Sequence, residues 1–118
     1  MISNEGVLDK NWGYELIWAS NENYCGKIIV FRQAGNKTSM LFHTKKNKTW
    51  FINSGSFKIK WIKTDTAEVL QKTLTEGETW SIDPLTPHQL ECLIDNSSLT
   101  EVSTPDLLDD YHRIIPSN

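Results

Sequence analysis

The sequence predicts an all-β fold, a jelly-roll barrel, and three observations carry that expectation. Helical periodicity is almost absent. Short apolar runs recur at intervals of roughly ten residues, the rhythm of a sandwich or barrel. Clusters of Gly, Asn, Asp and Pro separate the runs, and these residue types turn a chain cheaply. With 118 residues the chain is read as one domain that can bury a real core, without a second lobe. Five tryptophans supply the bulk that a barrel interior needs.

Taken in order, strands are expected at Tyr14–Ser20, Gly26–Phe31, Thr38–Phe42, Thr49–Asn53 and Ser56–Thr64. Four more follow at Leu70–Thr75, Thr79–Ile82, Gln89–Ile94 and Ser98–Ser103. Asn53-Ser54-Gly55-Ser56 reads as a hairpin turn, with Gly55 free to take positive φ. Thr75–Glu78 and Asp95–Ser97 are two further turns. One short helical turn is expected around Asp106–Tyr111, opened by Thr104-Pro105. Strand side chains alternate faces, so Leu41 shares a face with His43, and Trp50 with Ile52. Phe57, Ile59 and Trp61 oppose Lys58 and Lys60, while His88, Leu90, Cys92 and Ile94 form one more face. On that parity His43 and His88 point into the same barrel mouth.

Composition excludes several functions. A net charge of -3 and a pI near 5.5 argue against a general nucleic-acid binder. No basic-then-apolar leader opens the chain, and no apolar run approaches the ~20 residues that span a bilayer. A cytoplasmic protein with Cys25 and Cys92 reduced is therefore expected, with no membrane partner. No nucleophile–base pair, phosphate-cradling glycine loop or zinc-finger spacing is present.

Two segments carry a family resemblance. Gly35–Gly55, GNKTSMLFHTKKNKTWFINSG, rises from a glycine turn to His43 and runs through a lysine-rich bend into Trp50. Glu76–Glu91, EGETWSIDPLTPHQLE, joins a glycine turn to a Pro-x-x-Pro corner and His88. Together they resemble the two halves of the cupin signature, as found in the C-terminal domain of type II mannose-6-phosphate isomerases. Lys10-Asn11-Trp12-Gly13-Tyr14-Glu15, Gly26-Lys27-Ile28-Ile29, Glu101-Val102-Ser103-Thr104-Pro105 and Asp109-Asp110-Tyr111-His112-Arg113 match that family in the same order. The resemblance implies a double-stranded β-helix with N-terminal strands over 1–25 as a possible dimer arm, a barrel over 26–104 and a tail over 105–118. A homodimer is the assembly it implies.

It also implies a site. The family holds a divalent metal with a motif of the form Q/H-x-H-x-x-x-x-E and the histidine after Pro-x-x-Pro. Here His43 and His88 survive, but Leu41 and Lys48 stand where the Gln/His and the Glu are usual. Two imidazoles alone make a weak site for Zn, Fe, Mn or Ni, with Glu91 or Glu101 the available substitutes. No cofactor is therefore expected. Instead His43, His88 and Lys48 are the candidate catalytic groups. Lys46, Lys48, Trp50, Glu101 and Arg113 are candidates to bind a small sugar or sugar phosphate. Each has a structural alternative: the lysines as a solvated loop, Arg113 as a partner of Asp109 or Asp110, Glu101 as an edge residue. Trp50 and Trp61 read as core or as an aromatic face for sugar stacking. The function classes left open are a binding module, a sugar-phosphate isomerase or epimerase, and a non-catalytic structural domain.

Overall fold

A computed structural model describes residues 1–116; Ser117 and Asn118, the end of the expected tail, lie outside the described residues. The strands are β1 (Gly6–Lys10), β2 (Gly13–Ser20), β3 (Cys25–Phe31), β4 (Met40–Phe42), β5 (Lys48–Ser54) and β6 (Ser56–Lys63). They continue as β7 (Glu68–Thr75), β8 (Thr79–Ile82), β9 (His88–Cys92), β10 (Ser97–Ser103) and β11 (His112–Ile115). One sheet has six strands in the order β1-β2-β3-β10-β5-β8, and the other has five in the order β11-β4-β9-β6-β7. Among the described residues every strand pairing is antiparallel, so alternate side chains of each strand meet those of the facing sheet.

The inner faces bury Phe31, Ile52, Phe57, Ile59, Leu74, Leu90 and Leu99. Each such side chain contributes about 1.5–3 kcal/mol by leaving water. Trp12 stacks on Phe31 at 4.4 Å between ring centroids, and Phe31 meets Phe57 edge-on at 5.4 Å. Gly55, at φ 81°, makes the β5–β6 turn as expected. Any larger residue there would place its Cβ 1.9 Å from Ser97 Oγ, the atom that accepts the Ser56 N–H.

The expected strands are all present, and the structure adds β1 and β11. The expected helical turn is absent. Residues 105–111 run as an extended loop, with a bridge from Leu107 to Ile2 and a turn at Leu108–Asp109. The physical reason is competition: a stretch this short is a poor helix nucleus, and the carboxylates of Asp106 and Asp110 are bonded elsewhere in the fold. Ile94 is a second correction, since β9 ends at Cys92 and leaves it exposed.

The two sheets distribute charge in opposite ways. In the six-stranded sheet Glu15, Lys27, Lys48 and Glu101 turn inward and line a cavity. Alternation then leaves its outer face to Leu16, Ile28, Val30, Thr49, Phe51, Thr100 and Val102. The five-stranded sheet turns Lys58, Lys60 and Glu91 outward, with Lys58 and Glu91 paired at 3.4 Å.

Candidate functional site

The two histidines are brought together by backbone pairing. His43 follows β4, His88 opens β9, and Leu41 pairs directly with His88. The Pro84–Pro87 corner holds Leu85 at φ 67°, a left-handed conformation unusual for leucine, and the Leu85 N–H donates to the His43 carbonyl at 2.7 Å. The ring centroids of His43 and His88 lie 5.7 Å apart. His43 Nδ1 sits 2.7 Å from the Asp110 carbonyl oxygen, and His88 Nδ1 2.8 Å from that of Thr86. A carbonyl only accepts, so both Nδ1 atoms carry the proton and both Nε2 atoms are left as acceptors. His43 Nε2 has Lys48 Nζ at 3.4 Å. His88, 4% exposed, keeps its Nε2 buried on the cavity wall with no partner among the described residues. Burial, reinforced by the Lys48 charge, lowers His43 to about 4 and His88 well below its usual value. Both rings are neutral at neutral pH.

Three buried lysines surround them. Lys46 Nζ lies 2.9 Å from Asp106 Oδ1 and 3.0 Å from Glu101 Oε2. The second contact is an ion pair outside hydrogen-bond alignment, which leaves Glu101 Oε2 without an aimed donor. Lys27 Nζ donates to the Tyr111 hydroxyl at 3.2 Å and pairs with Asp106 at 3.3 Å and Glu15 at 3.6 Å. Tyr111 in turn donates to Asp106. Lys48 is held more loosely, with His43 Nε2 at 3.4 Å, Glu101 Oε1 at 3.5 Å and the Trp50 ring at 5.2 Å. Trp50 Nε1 donates to the same Glu101 Oε1 at 2.9 Å. Lys27, Lys46 and Lys48 thus balance Glu15, Glu101 and Asp106 in charge.

The charges do not respond alike. Burial opposes each buried charge, yet the lysines and the Trp50 N–H hold Glu101 well below the usual carboxylate range. Burial also opposes the Lys46 charge, but Glu101 and the other anions raise it above the usual lysine value. For Lys48 burial wins: helped by Lys46 and Lys27, it brings the ammonium down to about 8 despite Glu101. The turn that aims these lysines inward is fixed by Asp110, whose carboxylate accepts from the backbone N–H groups of Thr44, Lys45 and Lys46 and from the Thr44 hydroxyl.

These groups line a cavity of about 130 Å³. That is small beside the roughly 300–1,000 Å³ of sites for drug-sized ligands, and it favours a compact ligand. His43, His88, Lys46, Lys48, Trp50, Glu101 and Arg113 all line it, together with apolar Trp12, Ile29 and Leu90. Exposed Lys10 and Arg113 stand at its mouth, where Arg113 Nε donates to Ser39 Oγ at 3.3 Å. Two sequence candidates fall elsewhere. Glu91 lies on the outer face with Lys58, and Trp61 packs on Trp80 at 4.7 Å beside a separate, more open groove of about 310 Å³. That groove is larger, but the buried unpartnered atoms belong to the first cavity.

Sequence reasoning missed Lys27, Asp106 and Tyr111. Lys27 left a signal, because it stands two residues before Ile29 in strict alternation with buried Cys25, Ile29 and Phe31. Tyr111 stood within the family-like segment Asp109–Arg113 but was given no role there, and Asp106 left no signal, since the tail was expected to be helical.

A divalent metal does not fit this donor set. Leu41 offers hydrocarbon, Lys48 occupies the His43 lone pair, and the Glu101 oxygens are taken up by lysines and an indole. Among the described residues no three His, Cys, Asp or Glu side chains converge as ligands. An ion with two charges about 4 Å from the ammonium would meet repulsion on the order of 8 kcal/mol at an effective dielectric of about 20.

No protein-family model matches the sequence, and no curated protein matches it. Solved structures do. Oxalate decarboxylase from Bacillus subtilis at pH 4.6 superposes with a TM-score of 0.82 at 13% identity, over 96% of this chain and 31% of its own. The capsular polysaccharide assembling protein CapF from Staphylococcus aureus gives 0.79 at 16% identity, over 92% of this chain and 32% of its own. The fold is the cupin double-stranded β-helix. The chain spans about a third of the length of each of these proteins. No helix among the described residues is long and apolar enough to cross a membrane.

Proposed function

We propose that this cupin barrel binds a small hydroxylated anion, a sugar phosphate or sugar acid, and does so through lysine and histidine rather than through a metal. The observation that carries the reading is His88 Nε2, a buried acceptor without a donor on the wall of the cavity. A buried unmet acceptor costs about 1–3 kcal/mol, which a ligand hydroxyl would recover. Lys10 and Arg113 at the mouth are placed to take the anionic end, since the interior charges already balance. The apolar walls suit sugar C–H groups. CapF, an assembling protein for a capsular polysaccharide, is a neighbour in fold that makes a carbohydrate ligand a reasonable first choice. Titration calorimetry with mannose 6-phosphate tests this. Binding that weakens at least about tenfold in His88→Phe is expected; no binding of this or other small sugar anions by the unaltered chain contradicts it.

One observation favours a second reading, proton-transfer isomerisation or epimerisation of such a sugar. Lys48, brought down to about 8, touches a neutral imidazole, so an acid–base pair is poised near physiological pH. Deuterium exchange at the carbon next to the sugar carbonyl, lost in Lys48→Met, would support it.

The homodimer is likewise a proposal. The outer face of the six-stranded sheet is uncharged along β2, β3, β10, β5 and β8, so two copies can meet there without like-charge conflict. Six strands about 4.8 Å apart and about seven residues long give a face of about 650 Å². A stable interface buries about 800 Å² per partner, a comparable area.

A further inference from the structure

Lys48 differs from the other two buried lysines in what surrounds it. Lys46 is clamped at 2.9 and 3.0 Å by carboxylates, and Lys27 at 3.2 and 3.3 Å by Tyr111 and Asp106. Lys48 Nζ faces two acceptors at longer range, His43 Nε2 at 3.4 Å and Glu101 Oε1 at 3.5 Å. A free amine has two N–H bonds and one lone pair, so it can serve both acceptors and keep the lone pair. An ammonium in the same place has a third N–H to satisfy. The group lines the cavity, within reach of what enters it. A base stands beside it, because the Nδ1–H of His43 is fixed on the Asp110 carbonyl and leaves Nε2 as an acceptor. The sequence shows no nucleophile–base pair; the fold makes one from residues five apart in the chain.

We propose that Lys48 is a nucleophile: the cavity takes an open-chain hydroxycarbonyl compound with an anionic end, a hydroxyketone or hydroxyaldehyde phosphate, and holds it as an imine on Lys48 Nζ. This deepens the sugar-anion reading of the same cavity and rests on it for the anionic end and the hydroxyl. The demand for a free carbonyl is its own.

The step balances without an outside reagent. The Nζ lone pair forms the bond to the carbonyl carbon, and the π pair moves onto oxygen. Counted from the ammonium, three hydrogens are conserved. One stays on the iminium nitrogen, and two leave with the carbonyl oxygen as water, relayed from nitrogen to oxygen by His43 Nε2. The iminium is as positive as the ammonium it replaces. Glu101 therefore keeps a partner, and the balance of three lysines against three carboxylates holds. His88 Nε2, without a partner among the described residues, accepts the hydroxyl beside the carbonyl, while Lys10 and Arg113 take the phosphate at the mouth. Burial supports the same role by bringing Lys48 to about 8, against the pull of Glu101. At pH 8 about half of such an amine is free, against less than about 1% of an ordinary lysine.

The test uses the full chain at pH 8 with dihydroxyacetone phosphate as probe and sodium borohydride, whose hydride reduces an iminium to a stable secondary amine. Peptide mass mapping then reads every lysine. Lys48 is expected to carry the adduct at least about tenfold ahead of exposed Lys10, Lys45 and Lys63, as its larger free-amine fraction requires. The chain's mass gain at one equivalent of adduct should vanish in Lys48→Met. No adduct at Lys48, or one no greater than at the exposed lysines, overturns the proposal. Should Lys48→Met fail to fold by circular dichroism, the map of the unaltered chain decides alone. Glycerol 3-phosphate, which keeps the phosphate and hydroxyls but has no carbonyl, separates the two readings. It is expected to bind by calorimetry and to slow trapping at Lys48. Binding without any trapping removes the nucleophile and leaves the anion site; trapping at Lys48 that glycerol 3-phosphate does not slow leaves the nucleophile and removes the anion site.

Discussion

The cavity wall has two halves that use the same residue types to different ends. Around Lys46, every charge has a close partner: Asp106 at 2.9 Å, Glu101 at 3.0 Å, and Lys27 and Tyr111 completing the ring. Around Lys48, two residues along the chain, contacts stretch to 3.4 and 3.5 Å and the adjacent His88 has an unmet acceptor. Burial penalises both ammonium groups, but only Lys46 is raised above its usual value, while Lys48 falls to about 8. Satisfied buried charge is a structural device. A buried acceptor with neither an ion-pair partner nor an aimed donor, as His88 Nε2 is among the described residues, marks the half where a ligand belongs.

Substitution should separate the halves. Lys46→Met strands Glu101 and Asp106 as buried carboxylates, and a loss of about 3–5 kcal/mol is expected in urea unfolding. Lys48→Met, which removes an ammonium that is poorly compensated, should cost no more than about 1 kcal/mol at pH 7. Equal losses would break the comparison.

Acid should attack the second half first. His43 binds its proton near 6.5 when unfolded but only near 4 when folded, so the unfolded chain takes up more protons between those values. Stability is thus fully present above about pH 6.5 and falls toward pH 4, by about 3 kcal/mol from this group. His88 is lowered by the same causes and adds to the loss. Urea midpoints that stay level across this range would contradict the assignment of neutral, buried rings.

Smaller changes sharpen the contrast. Tyr111→Phe removes hydroxyl bonds to Asp106 and Lys27 and should cost about 1–2 kcal/mol. His88→Phe removes an unmet acceptor, so stability should hold within about 1 kcal/mol while sugar-anion binding is lost. A large loss of stability would make His88 structural. On the outer face, Phe51→Lys should leave the fold unchanged and shift sedimentation from dimer to monomer.

Much of the barrel could be read from the sequence because strand alternation and turn residues are local signals. Gly55 announced its hairpin, and the parity of His43 and His88 brought the two rings to one cavity. Lys46, Lys48, Trp50 and Glu101 were recognisable from their place in the motif, whereas the second set of charges around Lys27 and Asp106 was not. Lys27 meets Asp106 and Tyr111 across about eighty residues, and no local pattern encodes such a contact. The tail misled for a related reason: its Asp and Tyr residues read as helix-compatible until long-range ion pairs claim them. β1 lay in a polar stretch with little alternation, and pairing with β2 rather than its own composition makes it a strand.

The most direct test is nitrogen-15 NMR of the two imidazoles in metal-free protein at pH 7, before and after mannose 6-phosphate. Both rings are predicted to be neutral with the proton on Nδ1, and the His88 Nε2 resonance should move as it accepts a ligand hydroxyl. A His88 ring protonated at Nε2, or one whose resonance ignores every sugar anion offered, would contradict a metal-free ligand site in this half of the cavity.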